Sequence, residues 1–251
     1  LRYILRLSRV AFHARSAKSV IPLLTPEAAA SLRDLAPQLV AGSCFRPPEV
    51  SRKAYLTDRT TKRKGVARPG DSAHGWGLAL DLDVRATLEV LYAGAARFGG
   101  GARAVYPDAK YLLDARLSAA GWLCYEPPGK RGREEHHYSY VGGAPGPRAF
   151  RQAETLALID GLVREHLARL EVPVVNPERR PIWLAQALLA LAYEDDLTEA
   201  HPGDADGDAG PKTRRAVRAF REAWALSVSG AIDARLLRCL VAVIARVDEV
   251  P

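Results

Sequence analysis

The residue types best suited to chemistry fall in two places. In Pro69-Gly70-Asp71-Ser72-Ala73-His74-Gly75-Trp76-Gly77-Leu78-Ala79-Leu80-Asp81-Leu82-Asp83-Val84, a glycine-rich turn presents a histidine and an aspartate follows seven residues later. Leu80, Leu82 and Val84 alternate with Ala79, Asp81 and Asp83, so a strand here has one apolar and one carboxylate face. A carboxylate on a half-buried strand is costly unless a positive group meets it. A metal ion shared with His74 would meet Asp81; a solvent-facing edge strand with two ordinary acids is the plain alternative. The second place is Glu134-Glu135-His136-His137, the other site where His and Glu cluster. Catalytic zinc centres use three protein ligands, keep one position for water and set a carboxylate beside it. His74 and Asp81 offer two ligands, and this second cluster is where a third can come from. Strict alternation groups Glu135 with His137, whereas a turn aims Glu134 and His137 together. A polar strand end explains the run without any metal.

The elements that must position these residues can be read from spacing. The first 20 or so residues form a strand or a short helix. Thr25-Pro26-Glu27 starts a helix, with Thr as the cap and Pro in the first turn; it is expected to run to Val40 with Ala29, Leu32, Leu35 and Leu39 inward. Residues 39–46 read as a short strand stopped by Pro47-Pro48. Residues 49–68 are polar and basic, a helix or long loop leading to the His74 motif. Residues 108–120 look helical, with Tyr111, Leu112, Ala115 and Leu117 inward, and a strand restarts at Gly121-Trp122. Tyr138, Tyr140 and Val141 give the stretch after the second cluster strand character. Residues 149–170 carry Leu156, Ile159, Val163, Leu167 and Leu170 at helical spacing, with His166 beside that face as a packed or capping residue. The proline-bearing stretch 171–181 is a candidate linker. Three short helices follow, at 182–193, 211–224 and 233–246.

Separated strands and helices without a repeating βαβ pattern predict an α+β fold. The expected organisation is a domain over 1–172, with a small, mainly antiparallel sheet and flanking helices, and a three-helix module over 173–251.

Composition bounds the rest. Apolar residues at 48% and charged residues at 26% suit a globular chain. No apolar run approaches the ~18 residues of a membrane span. Three cysteines, Cys44, Cys124 and Cys239, are too scattered for a disulfide framework and are expected as buried free thiols. A net charge of +7 suits a polyanionic partner such as nucleic acid, anionic lipid or an anionic cell-wall polymer. Lys53, Arg59, Lys62, Arg63 and Lys64 form the nearest thing to a basic tract and read as a solvated loop, so no nucleic acid is expected. The chain begins at Leu1 and contains no Met, which predicts a natural start upstream; no export signal is visible within it.

Taken together, the blocks resemble a family. The pattern Gly-Asp-Ser-x-His-x-x-Gly-x-Ala-x-Asp over Gly70 to Asp81, then Gly121-Trp122, then Glu134-x-x-His137-Tyr138-x-Tyr140-Val141-Gly142 resembles the zinc D-Ala-D-Ala carboxypeptidases and dipeptidases of the VanY/VanX type. Ser43-Cys44-Phe45-Arg46 falls where that family has Ser-Gly-Tyr-Arg, so the resemblance runs from about Leu39 to Gly142. It implies zinc (Zn2+) held by His74, Asp81 and His137, with Glu134 as the catalytic carboxylate. It further implies Arg46 as the group that neutralises the oxyanion or the substrate carboxylate, and Ser72 as a binding-site hydroxyl. Departures occur at His136, where the family has Trp, and at Pro47 and Ser51, where it has Ser and Gln. His136 puts a second possible ligand beside the first.

The C-terminal stretch resembles a second family. Gln186-x-x-Leu189, then Asp206-Gly207-x-x-Gly210-Pro211-x-Thr213-x-x-Ala216-Val217-x-x-Phe220, then Gly230-x-Ile232-Asp233 is similar to the three-helix peptidoglycan-binding domain of cell-wall hydrolases. Arg221 replaces the usual Gln after the Phe. Asp204 to Asp208 tempts toward a calcium loop, but the sixth position is not Gly and the twelfth is Arg215. The two resemblances imply a zinc-dependent peptidoglycan peptidase, periplasmic or extracellular and monomeric, releasing the terminal D-Ala of stem peptides. An endopeptidase cutting within the stem and a catalytically silent wall-binding protein are the alternatives.

Overall fold

The computed structural model describes residues 4–60, 67–92, 102–126, 134–142, 150–169, 177–193 and 201–250; the side chains of 59, 60, 102–108, 125, 126, 134, 135 and 150–152 lie outside the described residues. Strand β1 (Ile4–Arg9) runs antiparallel to the short β2 (Leu23–Leu24), with Ser8 opposite Leu24. Helix α1 (Pro26–Ser31) begins as the sequence dictates: the Thr25 hydroxyl accepts the Ala28 N–H at 3.4 Å. The expected extension to Val40 does not form. The helix ends at Leu32, and a single 3-10 turn, Ala36–Gln38, follows, because Pro37 lacks an N–H and restrains its predecessor. Leu32, Ala36 and Leu39 are buried all the same.

The chain then lays down β3 (Ala41–Ser43), α2 (Pro48–Thr60), a 3-10 turn Ala73–Trp76, β4 (Ala79–Leu82) and α3 (Val84–Leu91). Next come α4 (Ala102–Ala119), β5 (Trp122–Glu126), β6 (Glu134–Tyr140), β7 (Phe150–Arg151) and α5 (Gln152–Ala168). Finally come α6 (Arg180–Ala192), α7 (Pro211–Ala223), α8 (Ala234–Ile244) and β8 (Arg246–Val250). One sheet has the order β3-β4-β6-β5-β7 and is antiparallel except for the β5–β7 pair; the other has the order β2-β1-β8. The fold is α+β. Most of the expected linker, 170–176, lies outside the described residues. Among the described residues, no helix is long and apolar enough to cross a membrane.

The chain packs as two units that interleave along the sequence. One comprises residues 1–5, 47–75 and 157–247; the other comprises 6–46, 76–156 and 248–251. In the second, Leu80 and Leu82 of β4, Trp122 and Cys124 of β5 and Tyr138 of β6 pack against Ala28, Leu32, Leu113 and Leu117. The inward face of α4 is Ala109, Lys110, Leu113 and Leu117, whereas Tyr111 and Leu112 are 69% and 50% exposed. Apolar spacing alone favours the adjacent stripe. Lys110 supplies the reason for the difference: its ammonium lies 2.5 Å from Asp114, which in turn accepts the Tyr138 hydroxyl at 2.7 Å, so a polar pair belongs to the buried face. The Trp122 indole donates to the Ser31 hydroxyl at 2.8 Å, meeting the need of a buried N–H.

The first unit is helical. Leu188 and Leu189 of α6, Ala216, Val217 and Phe220 of α7, and Leu236, Cys239 and Leu240 of α8 are buried. Gln186 pins the loop before α7: its amide donates to Asp206 Oδ1 at 2.8 Å, the Asp208 carbonyl at 3.1 Å and the Thr213 hydroxyl at 3.0 Å, and accepts the Gly207 N–H at 2.8 Å. Asp206 is thus committed to holding its own loop. Arg221 is fully buried, donating to the Ala231 carbonyl at 2.8 Å and pairing with Asp233 at 2.7 Å. It serves the fold at the position where the resemblance of the C-terminal stretch leads one to expect Gln. Helix α2 belongs here too, through Arg52, which donates to the Ala223 carbonyl and lies 5.9 Å from the Trp224 ring.

Candidate metal centre

Strands β4 and β6 run antiparallel with Asp81 directly opposite His137. Leu80, Leu82 and Tyr138 occupy the core, so alternation places Asp81 and His137 together on the other face. His137 Nδ1 lies 2.7 Å from Asp81 Oδ1. The third member arrives on the 3-10 turn: His74 is 3% exposed, and its ring completes a group with Asp81 and His137 whose ligand atoms all lie within 4.8 Å of one another. Two glycines with positive φ bracket the turn, Gly70 at 81° and Gly77 at 67°. At Gly77 a Cβ would stand 3.0 Å from the Thr25 nitrogen, whose N–H donates to the Gly77 carbonyl at 2.9 Å. Only glycine fits both the conformation and the space.

Two imidazoles and a carboxylate form the donor set of open catalytic zinc sites. Metal–ligand bonds of about 2.0–2.2 Å in tetrahedral geometry set two donors about 3.3–3.6 Å apart. The observed group is on that scale, with His137 Nδ1 and Asp81 Oδ1, 2.7 Å apart, having to part slightly to share one ion. Among the described residues, it is the group of His, Cys, Asp or Glu side chains able to do so. Asp83, the other acid of the motif, caps α3 instead, accepting the Ala86 N–H at 2.9 Å.

The other expected site residues distribute as follows. Arg46 is half-buried three residues beyond β3; its Nη2 lies 3.7 Å from Asp81 Oδ2 and donates to the Ser43 hydroxyl at 3.3 Å. Ser72 is half-buried two residues before His74, and its carbonyl accepts the Gly75 N–H at 3.0 Å. His136 is exposed and stands outside the metal-capable group. The Glu134 side chain lies outside the described residues, but its backbone is informative. Cys124 pairs with Tyr138 while Tyr125 pairs with Glu134, so one step along β5 spans four along β6. This irregularity removes the alternation that would have assigned Glu134 or Glu135 to a face.

All three cysteines are buried free thiols. Burial pushes the Cys44 thiol up to about 12, which keeps it protonated and makes it a poor nucleophile. Sequence reasoning missed Asp71. This motif residue is 6% exposed and accepts from Arg238 Nε at 2.9 Å, with Arg235 Nε at 3.4 Å from its other oxygen. An acid between Gly70 and Ser72 gives no local hint of an arginine so far along the chain.

Residues 180–240 match the family model of a peptidoglycan binding domain. The match covers α6, α7 and most of α8, and it supports association with the cell wall through peptidoglycan. It does not extend to the residues that carry the peptidase resemblance. No curated protein matches the chain.

Proposed function

We propose that the chain is a zinc-dependent peptidoglycan peptidase acting outside the cytoplasm, in the periplasm or at the wall, and in the first instance a D-alanyl-D-alanine carboxypeptidase. The observation that carries this reading is the grouping of His74, Asp81 and His137 within 4.8 Å, in a chain whose residues 180–240 match a peptidoglycan binding domain. His74, Asp81 and His137 would hold the ion, leaving a coordination position free. When bound, zinc supplies Lewis acidity at the scissile carbonyl and lowers the pKa of water. Glu134 takes the proton of the attacking water on its carboxylate and returns it to the departing amine. Arg46 offers a permanent charge and a planar pair of donors to the oxyanion or to the substrate's terminal carboxylate. The Ser72 hydroxyl contributes a contact to the peptide. The wall-binding residues raise the local concentration of the polymer around the site.

The test is metal analysis of the purified chain together with mass spectrometry of muropeptides incubated with and without a chelator. Bound zinc with chelator-sensitive release of free D-Ala is the expected result. Chelator-sensitive release of longer peptides makes the protein an endopeptidase of the same chemistry. Absence of release from any stem peptide by the zinc-loaded chain refutes the peptidase and leaves a wall-binding protein.

A further inference from the structure

We propose that Arg238, on α8 within the peptidoglycan-binding residues, is a positioning residue for the metal site, because it fixes the loop that delivers His74. The inference rests on His74 serving as a metal ligand. Three observations carry it. First, Arg238 and Asp71 are buried together, each side chain 6% exposed, and the same guanidinium reaches Asp160 of α5 with Nη1–Oδ1 at 2.6 Å. One planar cation thus joins α8, α5 and the His74 loop, with Arg235 adding a second contact to Asp71 at 3.4 Å. Burial works against the guanidinium charge, but Asp160 and Asp71 outweigh it and hold the Arg238 pKa above its ordinary value. Second, the loop touches the helix backbone itself. A Cβ on Gly70 would stand 2.8 Å from both the Cys239 nitrogen and Cα, and 3.0 Å from the Arg238 carbonyl carbon. Third, the loop is also held upstream: Arg68 donates to the Tyr55 hydroxyl of α2 at 3.0 Å, and its carbonyl accepts the Asp71 N–H at 3.0 Å.

His74 stands three residues beyond Asp71, at the start of a turn with few remaining backbone freedoms. A ligand placed this way depends on its anchor; groups bonded directly to a metal ligand change affinity by about 10–100-fold when removed, and Arg238, acting through Asp71, should fall at or below the low end of that range. Breaking the Arg238 contact should therefore weaken metal binding even though Arg238 touches no metal. A lysine there keeps the charge but cannot bridge two carboxylates in one plane.

The experiment measures zinc affinity of the full chain by chelator competition, and the visible spectrum of its cobalt form, for wild type, Arg238→Gln, Arg238→Lys and Arg221→Gln. Arg221→Gln is the control, since Arg221 is also buried in the helical unit but contacts the 227–233 segment. Expected are a loss of several-fold to about 10-fold in zinc affinity and an altered cobalt spectrum for Arg238→Gln, a smaller loss for Arg238→Lys, and wild-type affinity for Arg221→Gln at a temperature where circular dichroism shows it folded. If Arg238→Gln does not fold, Arg238→Lys is judged alone by the same measure. Unchanged affinity in the folded Arg238 variants, or an equal loss in Arg221→Gln, overturns the inference while leaving the metal site standing. Failure of the wild type to bind zinc overturns both.

Discussion

Replacing Gly70 by alanine tests the tight seat of the loop that carries His74. Two costs add. At a φ of 81° an L-residue pays the left-handed penalty of about 1–2 kcal/mol. The new methyl would also meet Cys239 backbone atoms at 2.8 Å, and helix backbone cannot turn aside as a side chain can. Overpacking of that kind costs about 1–3 kcal/mol. The sum is about 2–5 kcal/mol. Gly203 is the matched control in the same unit: its φ is 83°, but the nearest atom to a Cβ is the flexible Lys212 Cδ at 3.6 Å, an ordinary contact. Gly203→Ala should therefore show the conformational part alone, about 1–2 kcal/mol. The assay is urea unfolding of both variants followed by circular dichroism, with zinc affinity measured on each. Gly70→Ala should lose more stability than Gly203→Ala and should also bind zinc more weakly. Equal losses from the two substitutions, with zinc affinity untouched, would refute the claim that the loop is wedged against α8.

Other outcomes follow from the same geometry. His137→Ala and Asp81→Asn should lose bound zinc by elemental analysis, while His136→Ala retains it; the reverse pattern for the histidines would move the ligand by one residue. Glu134→Gln should keep zinc yet lose muropeptide hydrolysis, and full activity in that variant would remove Glu134 from the mechanism. Gln186→Ala strands two buried partners, the Gly207 N–H and the Thr213 hydroxyl, at about 1–3 kcal/mol each, so thermal unfolding of the full chain should register a loss of about 2–6 kcal/mol. His166 is held down to about 4, first by burial and then by nearby Arg169, so the folded state resists its protonation. Between about pH 6.5 and 4 the unfolded chain binds the extra proton, and stability should fall as pH falls through that window. His166→Gln should flatten the slope in acid-titrated urea midpoints; an unchanged slope would assign the acid sensitivity elsewhere.

The parts legible in the sequence were those set by short-range rules. The strand around Asp81 showed itself by alternation, α1 by its Thr-Pro-Glu start, and α7 by Ala216, Val217 and Phe220 on one face. Each depends on neighbours within a few residues. The metal-capable trio was legible only in part from the residues themselves: His74 and Asp81 announced themselves, whereas only the family resemblance favours His137 over His136, and the β4–β6 register is what sets His137 opposite Asp81. Two readings failed for physical reasons. Tyr111 and Leu112 looked inward because a spacing rule ranks apolar residues first, and it could not foresee that Lys110 would be buried by pairing with Asp114 under Tyr138. Residues 25–40 looked like one helix because periodicity outlasts the helix that Pro37 interrupts. Nothing local identified β8 as the partner of β1, nor Asp71 as the partner of Arg238, since both join segments most of a chain length apart.

The return of β8 to β1 bears on how such a chain can be cut and recombined. The segment that follows residue 172 is no detachable cassette. Ending the chain there would strip β1 of the neighbour on one side and of the Arg9–Glu249 contact, leaving unpaired main-chain groups of the kind that template strand-to-strand aggregation. It would also remove Arg235 and Arg238, the partners of the Asp71 carboxylate, and the α8 backbone on which Gly70 packs. Replacing the helices of residues 180–240 would therefore require compatible residues at both chain ends and in the loop that carries His74.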